Sequence, residues 1–167
     1  MIVVAAALRL LPHPANVTPI AAMALFGGAN FADKRLAFLV PLSALFASDL
    51  FLGLYSHMEY VYASFALTAG LGLLLRTRKN AFTIAGAGAA SAIIFFVVAD
   101  FGTWLYSSLY PKTVAGFEAC LVAAIPFLRN MVLGDLFYTA LLFGGFALLE
   151  HSFPALRDGP VAEAAAA

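Results

Sequence analysis

Charge is scarce in this sequence. Of 167 residues only 11% are Asp, Glu, Lys or Arg, and nine basic residues are cancelled by nine acidic ones. With no net positive field to draw in a polyanion, nucleic acid is not an expected partner. There is a single cysteine, Cys120. A lone thiol in an apolar stretch can build neither an intrachain disulfide nor a cysteine metal cluster, so redox chemistry is not expected. The sequence also has no G-x-S-x-G, and no nucleophile–His catalytic signature or metal triad is apparent. The usual hydrolase and metalloenzyme signatures are therefore missing, and no cofactor is expected.

What is present is overwhelmingly apolar: 63% hydrophobic residues, 16 of them phenylalanine, with a mean hydropathy of +0.96. These values lie far outside the soluble-domain average and identify an integral membrane protein. The length suits about six spans of roughly 20 residues and leaves no room for a soluble domain of useful size.

Apolar runs cover 2–11, 19–31, 36–53, 59–75, 80–100 and 114–150, and loops fall where charge, Pro and Gly cluster. The last run is too long for one ordinary span. Pro126, with Arg129 and Asn130, predicts a short outer helix over 115–128 followed by a full span over 130–150. The expected fold is all-α: one polytopic domain over 1–153 with six transmembrane helices at about 1–11, 19–31, 36–53, 59–75, 80–100 and 130–150. A flexible cytoplasmic tail follows over 154–167. The first two runs are shorter than the roughly 17 residues needed to span untilted. They are either two short helices or one broken one. The opening MIVVAAALRLL lacks the basic n-region and cleavage pattern of a signal peptide and is read as a first helix.

Basic residues concentrate at Lys34-Arg35 and Arg76-Thr77-Arg78-Lys79, with Arg157 in the tail. The positive-inside rule makes these cytoplasmic, and the intervening spans put all three on one side. The expected location is a bacterial inner membrane, with both termini cytoplasmic. The opposite, outer side then receives the loops 11–19, 55–59 and 101–118.

Against this background three carboxylates stand out. Asp49, Asp100 and Asp135 lie inside or at the ends of apolar runs. A charged side chain at the centre of a membrane helix costs roughly 2.5–3.5 kcal/mol on insertion scales, so it needs a partner, a wet cavity or a function. All three fall in the outer half of their helices, where Arg129 can reach one or more of them. Met131, Asp135, Tyr138 and Leu142 share one helical stripe, so Asp135 and Tyr138 should face the same cavity. Asn16, Tyr55, His57, Trp104 and Asn130 complete an expected outward-facing pocket. Each has a plainer reading. Trp104 with Tyr106 and Tyr110 fits an interfacial aromatic belt, His57 with Glu59 fits a solvated loop, and the carboxylates could anchor helices or pair with Arg129. The AGAGAAS run over 85–91, together with Ala66-x-x-x-Gly70 and Gly144-Gly145, fits close helix packing.

The run RLLPHPANVTPIAAMALFGGANF, a basic turn, a span ending SDLFLG and a terminal PFLRNMVLGDLFYTALLFG resemble a family of small, largely uncharacterised bacterial membrane proteins. That family is similar to the substrate-binding S components of energy-coupling factor (ECF) vitamin transporters. The resemblance implies a six-helix ECF S-component-like bundle holding its substrate beneath the outer loops, with an ECF-type coupling subunit and its ATPases as partners. S components dock through A-x-x-x-A on the first helix. Here Ala5 is followed by Arg9, and the nearest substitute is Ala24-x-x-x-Gly28. The N-terminal Met-x-His of metal-carrying members is replaced by MIVV, which disfavours a metal cargo.

The expected function is capture and transport of a small vitamin-like or other metabolite across the lipid bilayer. Arg129 would meet an anionic cargo or hold a carboxylate, and the Asp residues would accept from N–H groups. The alternatives are an intramembrane enzyme using paired carboxylates on a lipid or small metabolite, and a proton-coupled solo carrier.

Overall fold

A computed structural model of the protein describes residues 17–153. They form five α-helices: α1 Ile20–Asn30, α2 Lys34–Leu52, α3 Met58–Leu74, α4 Ala81–Tyr106 and α5 Val114–Ser152, with a 3-10 turn Leu75–Thr77 after α3. No strand occurs among the described residues. Four stretches are long and apolar enough to cross a membrane: Lys34–Leu52, Met58–Thr77, Ala81–Tyr106 and Val114–Ser152. The expected helix at 1–11, the tail at 154–167, Asn16 and the Ala5/Arg9 pair lie outside the described residues.

Local signals set most of the helix ends. The Asp33 carboxylate accepts from Arg35 N–H at 2.7 Å at the start of α2. Asn80 and Thr83 form a reciprocal capping box on α4, and the Thr113 hydroxyl accepts from Gly116 N–H on α5. Such caps satisfy N–H groups that have no partner within the helix. α2 ends on Gly53, whose φ of 101° suits a residue without Cβ.

Two expectations need correction. The helices expected at 115–128 and 130–150 are one continuous helix of 39 residues running through Pro126. In hydrocarbon, a full break would expose backbone groups to a medium that cannot bond them, so losing one hydrogen bond at a proline is the smaller cost. At about 58 Å, α5 is roughly twice the hydrocarbon thickness and must extend beyond it. Likewise α4 does not stop at Asp100 but continues to Tyr106. Asp100 is therefore an interior helical residue.

The unusual element is α1. Its 11 residues reach only about 16 Å, too short to cross. Every residue from Ile20 to Ala29 is buried. A helix apolar all round belongs in an interior, and α1 packs against α2, α3, α5 and, to a lesser extent, α4. Phe26 meets the Phe143 and Phe146 rings of α5 edge-on at 5.2 and 5.3 Å. The outward faces of α2, α4 and α5 instead present Leu39, Phe51, Phe82, Ile93, Leu133 and Leu148. A continuous apolar exterior of this kind is the surface a bilayer covers.

Two features hold α1 in place. The first is a backbone crossing with α3 at Gly28 and Gly72. A Cβ on Gly28 would stand 2.2 Å from Ala69 O, and one on Gly72 would stand 2.3 Å from Leu25 O. The Ala24-x-x-x-Gly28 pair is thus consumed inside the bundle: Ala24 is fully buried and Gly28 lies on Gly72. It is not available as a docking surface for a coupling subunit, which corrects that expectation. Ala66-x-x-x-Gly70 and Gly144 also do not mediate packing, since a Cβ on Gly70 or Gly144 would meet nothing within 4 Å.

The second feature is Arg76. Its guanidinium donates to the carbonyls of Gly28, at 2.9 Å, Phe31 and Ala32. These serve the unsatisfied C-terminal end of α1, where the helix dipole also favours a cation. Lys79 donates to Asn30 Oδ1 at 2.9 Å, and Asn30 in turn donates to Phe26 O. Desolvation holds the Lys79 pKa below its ordinary value, opposed by the Glu150 carboxylate and reinforced by Arg76.

The crossing makes opposite demands on neighbouring glycines. Gly72→Ala should destabilise by about 1–3 kcal/mol or more through overpacking against α1 backbone. Gly70→Ala should be neutral or gain up to about 1 kcal/mol from helix propensity. Thermal unfolding of both variants in one detergent checks this, and similar losses for the two would rule out the backbone crossing.

Candidate functional site

Above the start of α1 the bundle encloses a cavity of about 240 Å³. Thr18, Ile20 and Ala21 form one wall, Val61 and Phe65 of α3 a second, and Phe95 of α4 a third. Met131 and Asp135 of α5 close it, with Tyr55 from the α2–α3 loop at its edge. A wider opening of about 370 Å³ adjoins it and shares Tyr55 and Val61. His57, Tyr60, Gly102, Thr103 and Tyr106 line this opening. The α2–α3 loop and the end of α4 therefore make a vestibule, with Tyr55 and Val61 at the neck.

Close packing shapes the vestibule. A Cβ on Gly102 would stand 2.6 Å from the Tyr60 ring, so the glycine lets α3 and α4 approach there. The His57 imidazole stacks on Tyr106, with centroids 3.8 Å apart and planes 7° apart. His57 Nδ1 lies 3.5 Å from Glu59 Oε1.

The structure disperses the expected site residues. Asp135, Tyr55 and His57 belong to the cavity or its vestibule, as just described. Met131, Asp135 and Leu142 are all buried on the inward stripe of α5. Tyr138 departs from that expectation. It packs against Phe137 at 5.2 Å and against the core around Ile20, and it does not line the cavity.

Asp49 is only 1% exposed and accepts from the Tyr62 hydroxyl at 2.8 Å. It ties α2 to α3 and lies outside the cavity lining. Asp100 faces another way, beside Cys120 of α5, whose thiol approaches the Asp100 carbonyl at 3.7 Å. Its Oδ2 is buried and has no hydrogen-bond partner among the described residues.

The remaining expectations are corrections. Arg129 is exposed on α5 and makes no ion pair among the described residues, so it neither neutralises a carboxylate nor reaches the cavity. Asn130 is half-buried beside it, also away from the lining. Trp104 closes the outer loop instead of meeting a ligand. Its indole N–H donates to Pro111 O at 2.9 Å, and Lys112 sits over its ring at 5.7 Å. Lys112 also donates to the Trp104 and Ser107 carbonyls, capping the end of α4.

The sequence reading missed the walls. Val61, Phe65 and Phe95 are apolar residues in helices that are apolar on every face, so no periodicity marked them as inward-facing.

A protein family described only as a family of unknown function, DUF6580, matches residues 1–156. The chain belongs to this family. No curated protein and no solved structure matches it. Membership in DUF6580 brings no activity with it, so the chemistry rests on the cavity. Among the described residues one carboxylate, Asp135, lines it together with the hydroxyl-bearing Thr18 and Tyr55, and no second carboxylate or cationic side chain stands beside it. No cluster of three metal-ligating side chains occurs among the described residues. In this DUF6580 chain the paired carboxylates considered for acid–base work do not meet in the described lining, where Asp135 is the one carboxylate.

The separation of roles between Asp49 and Asp135 is checkable. Tyr62→Phe removes a donor to a buried carboxylate and should lower stability by about 1–3 kcal/mol. Tyr138→Phe should change it little, because Tyr138 makes no hydrogen bond among the described residues. Thermal unfolding distinguishes them, and equal losses would remove the structural role assigned to Tyr62.

Proposed function

We propose that this protein is a membrane substrate-capture and transport protein that receives a small metabolite from the outer face through the vestibule. One observation carries the reading: a cavity of about 240 Å³ with aromatic and aliphatic walls, into which a single, nearly buried carboxylate opens. Such a cavity is at the small end for a ligand site and carries the few fixed polar groups that orient a ligand. Tyr55 and Val61 border both this cavity and the opening under the loops on the side opposite Arg76 and Lys79, and a passage between them is the proposed route in. If that basic end is cytoplasmic, as the positive-inside rule requires, the vestibule faces outward.

The resemblance to S components supports the same reading and implies an ATP-driven coupling partner, because none of the described residues forms a nucleotide site. With Ala24 and Gly28 buried, that partner would have to use the exposed helix faces. A bacterial inner-membrane location with cytoplasmic termini fits this arrangement. The solo-carrier alternative draws on the same residue, since Asp135 could carry a proton with the cargo.

Native mass spectrometry on the protein extracted gently from its own membrane tests the proposal. We expect a stoichiometric small metabolite to be retained. Val61→Trp should abolish that retention by filling the neck while leaving thermal stability near that of wild type. A folded wild-type protein carrying lipid only would count against capture.

A further inference from the structure

Resting on the capture reading, we infer that the cavity takes a small zwitterion, an ammonium and a carboxylate on one compact skeleton of amino-acid size. The cavity has two electrical poles. The positive one is the start of α1. Pro19 occupies the cap position and no side chain among the described residues caps the helix. The first helical bond is donated by Met23 N–H to Pro19 O at 2.8 Å. The N–H groups of Ile20, Ala21 and Ala22 have no acceptor among the described residues, and Ile20 and Ala21 line the cavity. An uncapped helix start carries roughly half a positive charge and presents donors to an anionic group.

The negative pole is Asp135. It is 6% exposed and lines the same cavity, and no donor reaches its carboxylate among the described residues. A buried carboxylate without a donor is costly, and a ligand ammonium is the complement that removes the cost. Between the poles the walls are Val61, Phe65, Phe95 and Met131, which offer no further charge. No Lys or Arg among the described residues lines the cavity or its vestibule.

The sign of the ligand follows from satisfying both poles. A simple cation would pair Asp135 but leave the α1 donors unsatisfied. A simple anion would meet those donors but bring a like charge toward Asp135. A zwitterion answers both without adding net charge to a low-dielectric site. Size agrees, since a volume of about 240 Å³ equals the liquid share of about eight waters at roughly 30 Å³ each.

The test uses the full-length protein in detergent and three probes on one skeleton: phenylalanine, phenethylamine, which lacks the carboxylate, and 3-phenylpropionate, which lacks the ammonium. Leucine, 3-methylbutylamine and 4-methylpentanoate form a matching aliphatic set. Titration calorimetry should show the zwitterion of at least one set binding about tenfold or more tighter than either truncated partner, the scale of one charged hydrogen bond. Asp135→Asn should weaken the zwitterion and the amine by a similar factor while binding the carboxylate probe as well as or more tightly than wild type, because the like charge is gone. Equal affinities within both sets, a preference for the carboxylates or amines alone, or no binding of any probe at millimolar concentration would overturn the zwitterion. So would unchanged binding in a folded Asp135→Asn protein. A retained metabolite lacking one of the two groups would also overturn it, yet leave the capture reading standing. An empty wild-type protein that binds none of the probes would remove both.

Discussion

Everything in this bundle is arranged around a helix too short for the membrane it sits in. α1 brings unpaired donors at one end and unpaired acceptors at the other into a medium that supplies no water to satisfy them. At the acceptor end the solution is intramolecular: Arg76 reaches back from the turn after α3 and takes the carbonyls of Gly28, Phe31 and Ala32. At the donor end no side chain among the described residues does the same, and space opens there instead. Cavity and cap are thus two responses to the same backbone requirement.

The surrounding helices keep that space from collapsing. The contact at Gly28 and Gly72 sets α1 against α3 at backbone distance, and Phe26 locks it against α5 through Phe143 and Phe146. The hydroxyls within the bundle are mostly turned back onto their own helices. Ser64 bonds Val61 O, Thr68 bonds Ser64 O, and Ser91 bonds Ala87 O and Gly88 O. They therefore add polarity without competing for a ligand. Asp49 is held by Tyr62, and Asp135 remains the carboxylate that opens into the cavity.

Much of this was legible in the sequence, for physical reasons that also explain the failures. Apolar runs bounded by charge located α1, α2 and α3 to within a few residues, because a bilayer tolerates few interruptions. The same logic failed at Pro126, where a rule drawn from water overstated the tendency to break, and at Gly102-Thr103-Trp104, whose loop-like composition concealed another turn of α4. The small residues Ala24 and Gly28 were recognisable as a close-packing pair, but spacing alone cannot distinguish a neighbour in the chain from one outside it. Arg129 shows the same ambiguity in reverse: a cation six residues before Asp135, on the expected outer side with all three carboxylates, it lies exposed on α5. The walls at Val61, Phe65 and Phe95 were invisible because lipid and core ask for the same residue types.

The capped end of α1 also orders events in time. The carbonyl of Gly28 receives its partner from Arg76, 48 residues later in the chain, and the glycine that admits α1 to the bundle, Gly72, emerges at nearly the same point. During synthesis α1 is complete long before either exists. A segment of 11 apolar residues is too short to anchor itself across the bilayer. Its backbone crossing and its Arg76 cap can form only once α3 and the turn after it have been made. The final place of α1 is therefore fixed only once α3 has been made, and the cavity at its start is complete only then.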